Sequence, residues 1–154
     1  DEIARERGES VRVSWDDLIT WAPEVLIIMP CGFNLTQTMK QIWSVFNSMQ
    51  SPFFDLPAVL NGRVYAVDAN SFFARPGPRV VEGAELLAHI IHPELFSEHF
   101  DQDGVFQKVD IDLLKGILRE GHDYVVDGGL MVFTASYLKR RGYCCDNGCR
   151  NCPY

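Results

Sequence analysis

Hydrophobic and polar positions along the chain change period at one point, and the rest can be read outward from it. Val25-Leu26-Ile27-Ile28-Met29 is an unbroken apolar run closed by Pro30-Cys31-Gly32, after which Leu35, Met39, Ile42, Trp43, Phe46 and Met49 recur at helical spacing. The run predicts a buried parallel strand covered on both faces, and the spacing predicts a helix with one face on a sheet. Asn34 is placed to cap that helix, with Gln37 at its third position completing a capping box. Ligands of open α/β sheets gather beyond the carboxyl ends of strands, where free helix N–H groups favour polar or anionic groups. Gly32, Phe33 and Asn34 are therefore candidate ligand-binding residues.

Upstream, Ser14-Trp15-Asp16-Asp17 reads as a capping box for a short helix stopped at Pro23. Downstream, Ser51-Pro52 breaks the long helix, Asn61-Gly62 marks a turn, and Val64-Tyr65-Ala66-Val67-Asp68 is a second strand. If the two strands are parallel, Asp68 to Phe73 emerge at the same edge as Gly32, which makes Phe72 and Phe73 candidates for stacking on a flat ligand. Pro78 suits the first position of the next helix, for which Val80, Val81, Ala84, Leu87, Ala88 and Ile91 form the expected apolar stripe and Pro93 the stop. The alternation of helix and strand predicts an α/β class, a Rossmann-like three-layer lobe over residues 1–97.

Residues 98–112 are acidic and aperiodic and read as a linker. Residues 113–154 read as a small appendage: a short helix around Leu113 to Leu118, a β-hairpin over Tyr124 to Phe133 turning at Asp127 to Gly129, and a helix capped by Thr134 and running through Arg141. So short a unit builds little core, and a bound metal would supply the missing stabilisation.

The formal net charge of −7 speaks against nucleic-acid binding, which needs a surplus of Lys and Arg, and no apolar run is long enough to cross a bilayer. Four of five cysteines, Cys144, Cys145, Cys149 and Cys152, lie within the last eleven residues. That clustering points to a local thiolate metal site, for zinc or an iron–sulfur cluster, in a reducing compartment, so a cytoplasmic or organelle-interior location is expected. Lys139, Arg140 and Arg141 are placed to offset thiolate charge. Cys145, Cys149 and Cys152 share the C-x3-C-x2-C spacing of radical-SAM cluster ligands, but no barrel follows them. Cys31 reads as a small filler after the strand, and His89 and His92, three apart on a helix, as capping or exposed residues.

Two resemblances follow from particular words. Trp21-Ala22-Pro23-Glu24-Val25-Leu26-Ile27, Met29-Pro30-Cys31-Gly32-Phe33, Gly62-Arg63-Val64-Tyr65-Ala66-Val67-Asp68 and Arg75-Pro76-Gly77-Pro78-Arg79 stand in an order and spacing that resembles the C-terminal lobe of class III periplasmic-binding-type proteins, in particular the cobalamin-binding branch. The resemblance implies a non-catalytic two-lobed binder of a corrinoid or similar chelate, with Arg75 as a ligand contact. The other lobe is absent from this sequence, so a further protein completing the cleft is the implied partner. Gly129 to Thr134 and Arg141 to Tyr154 resemble a small uncharacterised cysteine-rich family, which implies no activity.

The sequence thus predicts a non-catalytic binding protein related to cobalamin-binding proteins, carrying a thiolate metal site in its tail. An iron–sulfur redox module and a zinc-stapled structural or interaction protein are the alternatives.

Overall fold

A computed structural model describes residues 12–46, 53–74, 77–96 and 104–154. The chain is mixed α/β with two small sheets. In order it forms α1 (Trp15–Trp21), β1 (Leu26–Ile28), α2 (Leu35–Phe46), a 3-10 turn at Phe53–Asp55, α3 (Pro57–Leu60), β2 (Val64–Val67), α4 (Ala69–Phe72), α5 (Arg79–Ile91), β3 (Phe106–Lys108), α6 (Ile111–Leu114), β4 (Tyr124–Asp127), β5 (Leu130–Phe133) and α7 (Ala135–Arg141). The first sheet has the order β1-β2-β3 and the second is the hairpin β4-β5.

β1 and β2 are parallel, with Ile27 opposite Tyr65, so the loops after both strands leave from one edge as expected. Successive side chains of a strand point to opposite faces, and each face of this sheet meets a different helix. Leu26, Ile28, Val64 and Ala66 pack with Met39, Ile42 and Phe46 of α2 and with Phe53, Leu56 and Val59. Ile27, Tyr65, Val67 and Phe106 pack with Leu86 and Ile90 of α5. Phe46 stacks on Phe53 at 4.3 Å between ring centres, which fastens the end of α2 to the segment leading into α3.

Three expectations are corrected. β1 has helices on both faces as expected, but it is three residues long, only half-buried, and at the edge of the described sheet. Residues 106–108, within the stretch read as linker, form β3 and pair antiparallel with β2, Gln107 opposite Ala66. Their pattern of two half-buried residues and one exposed is that of an edge strand, which carries little apolar signal. The buried face of α5 is Gly83, Leu86 and Ile90, while Val80, Val81 and Ile91 are exposed. At Gly83 the helix meets Phe73 closely: an added Cβ would lie 2.8 Å from its ring, so glycine suits the approach there.

The hairpin and last helix of the tail follow their expected plan, but the helix expected around Leu113 to Leu118 is α6, over Ile111–Leu114, and begins within the stretch read as linker. Gly128 and Gly129 have φ of 59° and 80°, the two positive values a type I′ turn needs. Thr134 caps α7 through its hydroxyl, and Gly142, at φ 85°, ends it. The small core here is Leu113, Tyr137 and Leu138, with Phe133, Cys149 and Cys152 against it, and Phe133 stacks on Tyr137 at 4.3 Å.

The tail is seated on the first sheet's unit. The Trp43 indole N–H donates to the Arg141 carbonyl at 2.9 Å, and the Gln107 amide donates to the Arg140 carbonyl at 2.7 Å. Gly142 fits against Met39 so closely that a Cβ would lie 2.8 Å from the Met39 Cγ. Trp43, expected in the core of the first unit, thus works at the seam.

Candidate metal centre

The four tail cysteines lie beyond Gly142 in a segment that turns back on α7. Asp146 at φ 59° and Gly148 at φ 61° supply two reversals, and the Cys152 N–H closes a turn on the Cys149 carbonyl at 3.1 Å. Side chains pin the segment at three points. Asn151 donates to the Phe133 carbonyl, Arg150 pairs with Asp127 of the hairpin, and the Tyr154 hydroxyl donates to the Lys139 carbonyl. This folding back brings cysteines eight residues apart together.

The sulfurs close in two pairs. Cys145 Sγ lies 3.7 Å from Cys149 Sγ, and Cys144 Sγ lies 3.7 Å from Cys152 Sγ. Sulfurs bound at about 2.3 Å to one tetrahedral ion are separated by roughly 3.8 Å, so each pair has the spacing of an edge of such a site. Among the described residues, no group of three or more His, Cys, Asp or Glu side chains is drawn around a single point, and all five cysteines are free thiols. The donor chemistry suits a thiophilic ion, and the arrangement is that of two converging pairs.

Electrostatics distinguish the members. The Asn147 N–H is the largest influence on Cys145 and lowers its pKa; burial opposes it, and the Cys149 thiol and the Arg141 guanidinium add to the lowering. Cys149 is raised, first by its hydrogen bond to Cys145. Within this pair Cys145 is therefore the more acidic thiol. Arg141, only 7% exposed, reaches Cys145, while Lys139 is exposed and Arg140 turns to carboxylates, so one of the three expected cations serves the thiols.

Arg140 belongs to a network that sequence reasoning missed. Its two Nη groups bind Asp110 and Asp123, and Asp123 also accepts from the Arg119 N–H at 2.8 Å and lies 2.9 Å from His122 Nδ1. Burial alone would raise the Asp123 pKa, but the Arg119 N–H, His122 and Arg140 together bring it down to about 2. The partners come from three segments, Asp110 before α6, the loop of Arg119, His122 and Asp123, and Arg140 on α7, so only the contacts inside that loop are local in sequence. The network ties the start of α6 and the loop before the hairpin to α7.

The expected ligand-binding residues fall into two groups. Gly32, at φ 78° with nothing within 4 Å of where a Cβ would stand, leaves an open turn, and the Phe33 carbonyl accepts from the Asn70 N–H at 3.0 Å. Asn34 and Gln37 form the reciprocal capping pair, at 3.0 and 2.9 Å. By contrast, Phe72 is buried, and the Phe73 ring packs on Gly83 of α5. Arg75 lies outside the described residues. Cys31 is exposed rather than a filler, and His89 and His92 diverge, towards the Phe96 carbonyl and Glu94 respectively.

No helix of the described residues is long and apolar enough to cross a membrane. No curated protein matches the chain, and no solved structure does. Residues 115–154, which take in the hairpin, α7 and all four tail cysteines, match a family described as a family of unknown function (DUF5522).

Proposed function

We propose that this chain is a non-catalytic binding protein whose tail holds one zinc ion through Cys144, Cys145, Cys149 and Cys152. The observation that carries the reading is the pair of 3.7 Å sulfur separations, each an edge of a four-thiolate tetrahedron. The small tail core supports it as well, since Leu113, Tyr137 and Leu138 bury too little surface for 40 residues to hold a unique fold unaided. A second reading has its own support. Two cysteines per iron is also the pattern of a [2Fe–2S] cluster, and the sulfurs close as two pairs rather than as a set of four.

The first unit we read as part of a Rossmann-like three-layer lobe related to cobalamin-binding proteins. Parallel β1 and β2, α2 and α5 on opposite faces, and the open Gly32 turn facing the loop at Asn70 support that reading. A corrinoid or similar chelate would lie against that edge, with a partner protein supplying the opposite wall.

Metal analysis and an absorption spectrum on anaerobically purified chain test the tail, and equilibrium dialysis against cyanocobalamin tests the lobe. One zinc per chain without visible bands supports the first reading; iron with charge-transfer bands replaces it by the second. Absence of any metal rejects both. Cobalamin retention no greater than that of serum albumin rejects the corrinoid reading.

A further inference from the structure

Arg141 is 7% exposed, yet it forms no ion pair with any Asp or Glu among the described residues. A buried guanidinium is strongly disfavoured without an anion beside it, because desolvation removes water that nothing else replaces. Its Nε and Nη2 donate to the Tyr143 carbonyl at 3.2 and 3.1 Å, and its carbon lies 4.9 Å from the centre of the Tyr143 ring. Those partners orient the group without neutralising it. A further neighbour is Cys145, whose sulfur and the guanidinium each favour the other's charged form. Four thiolates around a divalent ion make a doubly negative complex, so the buried cation and the cysteine cluster answer each other's charge.

We propose that Arg141 is the fixed counter-charge of the thiolate metal site and, through its carbonyl, ties occupancy of that site to the seating of the tail on α2. This rests on the four-thiolate reading. The tie is the Trp43 indole N–H, which donates to the Arg141 carbonyl at 2.9 Å. One residue thus influences Cys145 on one side and accepts from the first unit on the other. Arg141 is a positioning residue, not a ligand. A planar guanidinium can bind a sulfur and the Tyr143 carbonyl together, whereas an ammonium supplies charge without that fork.

The test uses the full chain loaded with Co2+ or Zn2+, comparing wild type, Arg141→Gln and Arg141→Lys, with Lys139→Gln as a charge control. Zinc affinity is read by chelator competition, the thiolate-to-cobalt bands by absorption, and the Trp43 indole N–H by NMR. Arg141→Gln is expected to weaken zinc binding on the order of 10- to 100-fold, the range for loss of an outer-shell partner. It should also shift the cobalt bands; Arg141→Lys recovers part of both, and Lys139→Gln changes neither. Removing zinc from wild type should move the Trp43 indole resonance. Wild type that binds no metal defeats the underlying reading. Wild type that binds zinc while Arg141→Gln matches it in affinity and cobalt spectrum defeats the counter-charge alone. If Arg141→Gln does not fold, Arg141→Lys decides, since affinity and bands identical to wild type would overturn the proposal. A Trp43 resonance indifferent to zinc overturns the link to α2.

Discussion

The two halves of this molecule are held together by different physics. The first unit has helices on both faces of a sheet and a continuous apolar core running from Met39 through Phe53 and Val59 to Val64. The tail has three buried core residues, a charge network around Asp123 and a cluster of thiols. Burial accumulates with area and tolerates losses piecemeal, whereas a coordination site is present or absent as a whole. The tail should therefore respond to chemistry that leaves the first unit untouched, and the reverse should hold for core mutations.

The largest expected effect comes from metal removal. A structural zinc in a small domain contributes on the order of 10 kcal/mol at neutral pH. Treatment with a chelator, or Cys149→Ser with Cys152→Ser, should abolish amide protection in β4, β5 and α7 while protection in β1 and β2 persists. Hydrogen exchange reads this directly, and equal loss in both halves would erase the contrast.

Core truncation gives the converse. Ile42→Ala and Leu86→Ala remove fully enclosed side chains from opposite faces of the first sheet. Each should cost about 3 kcal/mol in denaturant unfolding, with metal stoichiometry unchanged.

Between the two lies the seam. Gly142→Ala meets both a left-handed backbone and the Met39 side chain 2.8 Å away, whereas Gly148→Ala meets only the backbone, with nothing near. The first should cost about 2 kcal/mol and the second about 1 kcal/mol. Equal effects in thermal melts would mean that Met39 yields freely and the seam is loose.

How much of this is legible in the sequence differs between the halves in the same way. Local signals carry well: the Asn34–Gln37 capping pair, the Gly128–Gly129 turn and the Thr134 cap stand as the spacing predicts. Long-range decisions do not. β3 is hidden because an edge strand needs no apolar run, and α5 turns Gly83, Leu86 and Ile90 inward rather than the stripe through Val80 and Ile91, with Gly83 close against Phe73. The cysteine cluster is conspicuous in the sequence, but its pairing of Cys144 with Cys152 and Cys145 with Cys149 depends on how the chain folds back from Gly142. Charge at the site is only partly readable. Three consecutive cations follow Leu138, and helix geometry sends each to a different place.

The smallest effect is on pH dependence. Asp123 has its carboxyl lowered from 3.8 to about 2 by the Arg119 N–H, His122 and Arg140, against burial. A lowered folded pKa means that the network's stabilisation is complete above about pH 4 and is lost as the pH falls through 2. The contribution is on the order of 1 kcal/mol after allowance for solvent screening. Asp123→Asn should flatten the acid limb of the stability curve between those values; an unchanged limb would remove Asp123 from the account.

X-ray absorption at the zinc edge on the purified full chain tests the central claim most directly. The account predicts a first shell of four sulfurs at about 2.3 Å, with no nitrogen or oxygen neighbour. A mixed shell, or iron in place of zinc with a second metal at short range, would contradict a single ion closed by Cys144, Cys145, Cys149 and Cys152.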